Sequence, residues 1–121
     1  PIHLLKIIRG FEIEGPTNLV LGLLRSWQRD EIRVTLVSLS AGGGHRAAIE
    51  KEIARLGGEV HIFPTGWRNV KRTAQQLREL DVFPTVTHLG AHLLRPDAVA
   101  RHVARETGLP YLLTEHGLHG L

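Results

Sequence analysis

RVTLVSL, residues 33–39, runs straight into SAGGGH, residues 40–45, and then into a helical pattern that stops at Gly57-Gly58. A short β-branched apolar run, a glycine turn and a helix in that order are the strand, loop and helix of a βαβ unit, and hence of a parallel sheet. The helix is expected over His45 to Leu56, burying Ala48, Ile49 and Ile53. Outward from this unit the alternation repeats. LLKIIR (Leu4 to Arg9), EVHIF (Glu59 to Phe63), TVTHL (Thr85 to Leu89) and YLLT (Tyr111 to Thr114) read as four more strands. A helix is expected to open at Pro16 and bury Leu19, Val20, Leu23, Leu24 and Trp27, with Gly22 packed closely on the sheet. Another places Trp67, Val70, Ala74 and Leu77 on one face and Arg68, Lys71, Arg72 and Gln75 on the other. The last starts near Pro96-Asp97, where the acid suits the positive helix end, and stops at Gly108 before Pro110. The expected architecture is α/β: one Rossmann-like three-layer αβα domain over residues 1–121, with a mainly parallel sheet of about five strands.

Composition narrows the function classes. At 121 residues and 42% hydrophobic content the chain can bury a core, which argues against disorder. Zero cysteines exclude disulfides, thiolate zinc sites and a cysteine nucleophile. No run of about 18 apolar residues is present and the N-terminus lacks a signal-peptide pattern, so a cytoplasmic protein is the simplest expectation. The formal charge is +3 and the pI about 10.0, yet the basic residues are interleaved with Asp and Glu. With aromatics at 5%, the basic stripe and stacking residues of a nucleic-acid binder are missing, and no nucleic-acid partner is expected. The exposed stripe of Arg68, Lys71 and Arg72 leaves open a peripheral contact with the inner face of a membrane.

In an open parallel sheet, ligands bind beyond the carboxyl ends of the strands. The loops expected there are Gly10 to Pro16, Ala41 to His45, Gly90 to His92, and Glu115 to His119. Four of the eight histidines, His45, His92, His116 and His119, fall in them, and His88 lies just before one. Gly15 and Gly42 to Gly44 are candidate anion cradles, because glycine lets backbone N–H groups approach a phosphate at a helix start. Neither loop is the G-x-G-x-x-G of dinucleotide enzymes or carries the Lys-Ser/Thr of a P-loop, which disfavours a dehydrogenase or NTPase. The strand ending His61-Ile62-Phe63-Pro64 lacks the acidic cluster of a receiver domain. His88-x3-His92 and His116-x2-His119 have no Cys or well-placed Asp to complete a zinc set, so no metal is assigned.

Laid out in this order, the sequence resembles the N-terminal domain of family-4 glycosyltransferases, which have the GT-B fold. The resemblance is carried by Ile8-Arg9-Gly10 through Glu14-Gly15-Pro16 and Leu19 to Leu24, by VTLVSLS, GGEVHIF and AHLLRPD, and by GLPYLLTEHG near the end. Glu14 stands where the family has the first glycine of its turn. The resemblance implies transfer of a sugar from a nucleotide-sugar donor to an acceptor, with retention. It implies His116 as the catalytic residue near the donor sugar, flanked by Glu115 and Gly117. Gly10, Gly15 and Pro16 would lie along the substrate, with Gly15 nearest the diphosphate, and His92 or His88 would touch the acceptor. The family's E-x7-E pair belongs to a C-terminal nucleotide-sugar domain beyond this chain, so the chain alone would be inactive, no cofactor is assigned to it, and an unpaired sheet edge would favour self-association. The alternative is a non-catalytic anion- or partner-binding α/β module; a small standalone or designed α/β enzyme is a third reading.

Overall fold

Strand β1, His3–Ile8, is buried at every residue and forms the centre of a five-stranded sheet in a computed structural model that describes residues 2–11, 33–44, 46–55, 57–92 and 94–114. A strand buried on both faces reads as a continuous apolar run rather than an alternation, which is what LLKIIR shows. The other strands are β2 (Arg33–Ser38), β3 (Glu59–Ile62), β4 (His88–His92) and β5 (Tyr111–Thr114), in the order β3-β2-β1-β4-β5. All four pairings are parallel, with Leu4 opposite both Val34 and His88. The described helices are α1 (Arg46–Arg55), α2 (Val70–Arg78) and α3 (Arg95–Thr107), with short 3-10 turns at Trp67–Asn69 and Phe83–Thr85. The architecture is thus the expected Rossmann-like α/β sheet. The helix expected from Pro16 lies outside the described residues.

Two cores sandwich the sheet. Leu5, Ile7, Val37 and Leu89 pack with Val70, Ala74 and Leu77 of α2 and with Val99, Ala100 and Val103 of α3. On the opposite face Leu4, Ile8, Val34 and Leu36 pack with Ile49 and Ile53 of α1. Each fully buried Leu or Ile contributes about 1.5–3 kcal/mol against an exposed one. Helix α3 ends as expected, with Gly108 in the left-handed region (φ 73°) and its N–H bonded to the Ala104 carbonyl.

Three expectations need correction. The fourth strand begins at His88, not Thr85, because Phe83–Thr85 closes as a 3-10 turn around Pro84; Gly90 is therefore inside the strand. Its lack of a side chain makes room for Lys6 on the neighbouring strand, since a Cβ there would come within 3.2 Å of the Lys6 Cδ. Trp67 is not a core residue: it sits in the turn before α2 and is 62% exposed, and Thr73 takes its place in the buried stripe. Ala48 is exposed, so α1 buries Ile49 and Ile53 alone.

A polar network holds the amino edge of the sheet. Thr85 Oγ1 donates to the Val82 carbonyl (2.6 Å), so the His3 Nδ1–H must donate to Thr85 (2.8 Å). In the neutral ring His3 Nε2 then accepts from the Thr35 hydroxyl (2.7 Å). Burial pushes the His3 pKa below its ordinary value, helped by Arg33 and opposed by the Thr85 bond and Glu59. Burial also pushes Lys6 down to about 8. In both cases the unfolded chain binds more protons than the folded chain, so stability rises with pH through each window. Thermal unfolding should therefore show a midpoint that falls as pH drops from about 6.5 through the His3 pKa, and a flat acid limb in His3→Gln would confirm the source.

Candidate functional site: a crevice at the carboxyl edge

The strand order fixes where a ligand can enter. From β1 the chain passes to β2 and β3 on one side, then crosses back to β4 and β5 on the other, so the switch point lies between the carboxyl ends of β1 and β4. The segment leaving β1 is Arg9-Gly10-Phe11, with Arg9 exposed and Gly10 and Phe11 buried. The segment leaving β4 leads through Leu94 into α3.

The first of these segments is pinned to the loop after β2. Leu39 N–H donates to the Ile8 carbonyl (3.0 Å) and Phe11 N–H to the Gly42 carbonyl (3.2 Å). Gly43 has φ 115°, and a Cβ on it would lie 2.5 Å from the Phe11 carbonyl carbon. Only glycine lets these two backbones touch. The Gly42 N–H is taken by Ser40 Oγ (3.0 Å), and the Ser38 hydroxyl donates to the Ser40 carbonyl (2.7 Å). The glycine run read from the sequence as an anion cradle thus contains a packing joint at Gly43, with the Gly42 N–H and carbonyl both bonded to the chain itself.

The other side of the crevice is organised by Thr65 and Arg95. Thr65 N–H donates to the Leu39 carbonyl (3.0 Å), and its hydroxyl, buried, donates to the Phe63 carbonyl (2.5 Å) and lies 2.8 Å from the Thr73 hydroxyl. Arg95, half-buried in the first turn of α3, reaches across to the Thr65 carbonyl through Nη1 (2.9 Å). Its other N–H donors bond no described residue. Leu94, the N-cap of α3, has φ 70° and is 60% exposed, and its side chain is a poor fit to that backbone region. Among the described residues no side chain caps this helix end. Asp97 in the same turn is held by Arg101 (2.9 Å) and by the Tyr111 hydroxyl.

Of the residues singled out from the sequence, Gly10 and the backbone of His92 are brought to this edge. His88 is not. It starts β4 at the opposite, amino edge, where its Nδ1 shares a hydrogen bond with Thr87 Oγ1 (2.8 Å), so it cannot touch a ligand in the crevice. Gly15, Pro16, Glu115, His116 and Gly117 lie outside the described residues. Sequence reading missed Arg95, whose only sign was a cation directly before Pro96 at a helix start. It missed the Thr65 joint entirely, since a threonine in a loop carries no pattern. Among the described residues no group of three or more His, Cys, Asp or Glu is placed to hold a metal ion.

No protein-family model matches the chain, and no curated protein matches it. Among solved structures it is similar to the universal stress protein from Archaeoglobus fulgidus, with a TM-score of 0.52 and 14% identity over 93% of each chain. At that identity the likeness is one of fold. It overturns the glycosyltransferase reading: the fold match spans nearly the whole of a protein of another kind, and no glycosyltransferase model matches the chain. The expected transfer of a sugar from a nucleotide-sugar donor goes with it.

If the Phe11–Gly43 joint sets the crevice wall, Gly43→Ala should lose about 2 kcal/mol or more from the strained backbone alone, measured by urea unfolding. Gly44→Ala, with nothing within 4 Å of its new Cβ, serves as the neutral control.

Proposed function

We propose that this chain is a non-catalytic α/β binding module that takes an anionic ligand in the crevice between the carboxyl ends of β1 and β4. The observation that carries this reading is Arg95: a guanidinium anchored by one bond to the Thr65 carbonyl (2.9 Å), with its remaining donors free of described partners, at the start of a 13-residue helix that no side chain of the described residues caps. A helix N-terminus carries a positive partial charge and an arginine fork suits a carboxylate or phosphate, so the two reinforce one another. Exposed Arg9 at the exit of β1 adds a further cation to the same edge. The nearby carboxylate of Asp97 is already paired with Arg101, which limits its repulsion of an anion.

The fold likeness to a universal stress protein supports the reading of a small α/β module in place of half a two-domain transferase. The crevice as described offers positioning and charge. Among the described residues it brings together no nucleophile with a base beside it, which is the arrangement that covalent catalysis needs.

Calorimetric titration with inorganic pyrophosphate tests this. Saturable binding is expected, weakened roughly tenfold or more in Arg95→Ala through loss of a charge-assisted bond and unchanged in Arg105→Ala on the far end of α3. Absence of binding, or equal binding by Arg95→Ala, would contradict the assignment.

A further inference from the structure

Helix α2 carries two opposed stripes at the same spacing. Val70, Thr73, Ala74 and Leu77 are buried against the sheet, while Lys71, Arg72 and Gln75, continued backward by Arg68 of the preceding turn, are exposed. Positions three and four apart on a helix share a face, so the three cations lie along one outer ridge. Their charge is not answered locally. No acidic residue occurs between Glu59 and Glu79. Among the described residues none of the ion pairs involves Arg68, Lys71 or Arg72. The acids of neighbouring α3 are engaged elsewhere, Asp97 by Arg101 and Glu106 by Arg78.

Beside this ridge stands an exposed apolar pair. Trp67 is 62% exposed and Leu94 is 60% exposed, and both belong to the carboxyl edge, where the Arg95 bond to the Thr65 carbonyl ties their two loops together. Ile2, the other exposed large hydrophobic among the described residues, is at the amino edge. A tryptophan has an apolar body with one polar N–H, the combination that settles at a membrane interface, and Lys and Arg stems let their charges reach headgroups while lying on apolar surface.

We propose that Trp67, Leu94, Arg68, Lys71 and Arg72 form a docking surface for an anionic lipid bilayer. Charge complementarity requires an anionic partner, and the adjacent exposed Trp and Leu require one with an apolar layer beneath its charges, which a bilayer of acidic lipid supplies and a nucleic-acid backbone does not. The attachment is peripheral, because no helix of the described residues is long and apolar enough to cross a membrane. These residues are distinct from the Arg95 guanidinium that carries the crevice, so the two proposals stand or fall separately.

Cosedimentation with vesicles tests the surface. The chain should bind phosphatidylcholine vesicles containing phosphatidylserine, ignore vesicles of phosphatidylcholine alone, and release as salt is raised. The variant R68E/K71E/R72E should lose roughly a hundredfold or more in partitioning, from about fivefold per cation near an acidic surface. Trp67→Ala should weaken binding with all charges kept, and Arg105→Ala, at the far end of α3, should leave it intact. Circular dichroism checks that each variant is folded, with the milder R68Q/K71Q/R72Q set replacing the charge reversal if it is not. No binding to acidic vesicles, equal binding to both vesicle types, undiminished binding by the charge variants, or capture of a duplex oligonucleotide instead of vesicles would each overturn the proposal.

Discussion

Strand β1 is paired in parallel on both sides, to β2 from His3 opposite Arg33 and to β4 from Leu4 opposite His88, and every other feature of the molecule takes its place from that double pairing. Parallel partners on both flanks force crossover connections, and helices then cover both faces of the sheet. Strand β1 is accordingly buried on both sides, including His3 and Lys6, whose polar groups must be satisfied or neutralised inside. Because the chain leaves β1 in one direction and returns to its other side at β4, the switch point falls between their carboxyl ends, the place where open parallel sheets take ligands.

What specialises this edge is a set of joints made by backbone groups. Phe11 lies on Gly43, and the Leu39 carbonyl holds Thr65, whose own carbonyl holds Arg95. The loops after β1, β2 and β3 are thereby linked, and the third of them is linked in turn to the start of α3. A guanidinium fixed at one nitrogen loses less rotamer entropy when it meets an anion than a free surface arginine would, which is the advantage of preorganisation. The ridge of Arg68, Lys71 and Arg72 follows a different logic, with mobile charges on an outer helix face where geometry matters less than number.

The sheet was legible in the sequence because each strand is a short β-branched or apolar run bounded by Gly, Pro or Asp, and burial of β1 on both faces removed any ambiguity of period. Helix α3 was legible from Pro96, Asp97 and Gly108 at its ends. The errors lie where tertiary contacts decide. Gly90 reads as a loop glycine, yet it lies in a strand under the Lys6 stem; Trp67 reads as core by spacing, yet the 3-10 turn before α2 rotates it outward; His88 reads as a site residue, yet three residues of strand shift carry it to the far edge. The glycosyltransferase resemblance failed for a related reason. Strand ends followed by glycine and proline turns are common to parallel βαβ arrays, so their order reports the fold and says little about the chemistry.

The claim on which the account rests is that a small soluble anion is received in the β1–β4 crevice. Backbone chemical-shift mapping of the isotopically labelled chain with inorganic pyrophosphate addresses it residue by residue. The account predicts shifts concentrated at Arg9, Gly10, Leu94, Arg95 and Asp97, with α1 and the amino edge around His3 and His88 unmoved. Shifts centred on Lys71 and Arg72, or spread evenly over the basic surface, would contradict it.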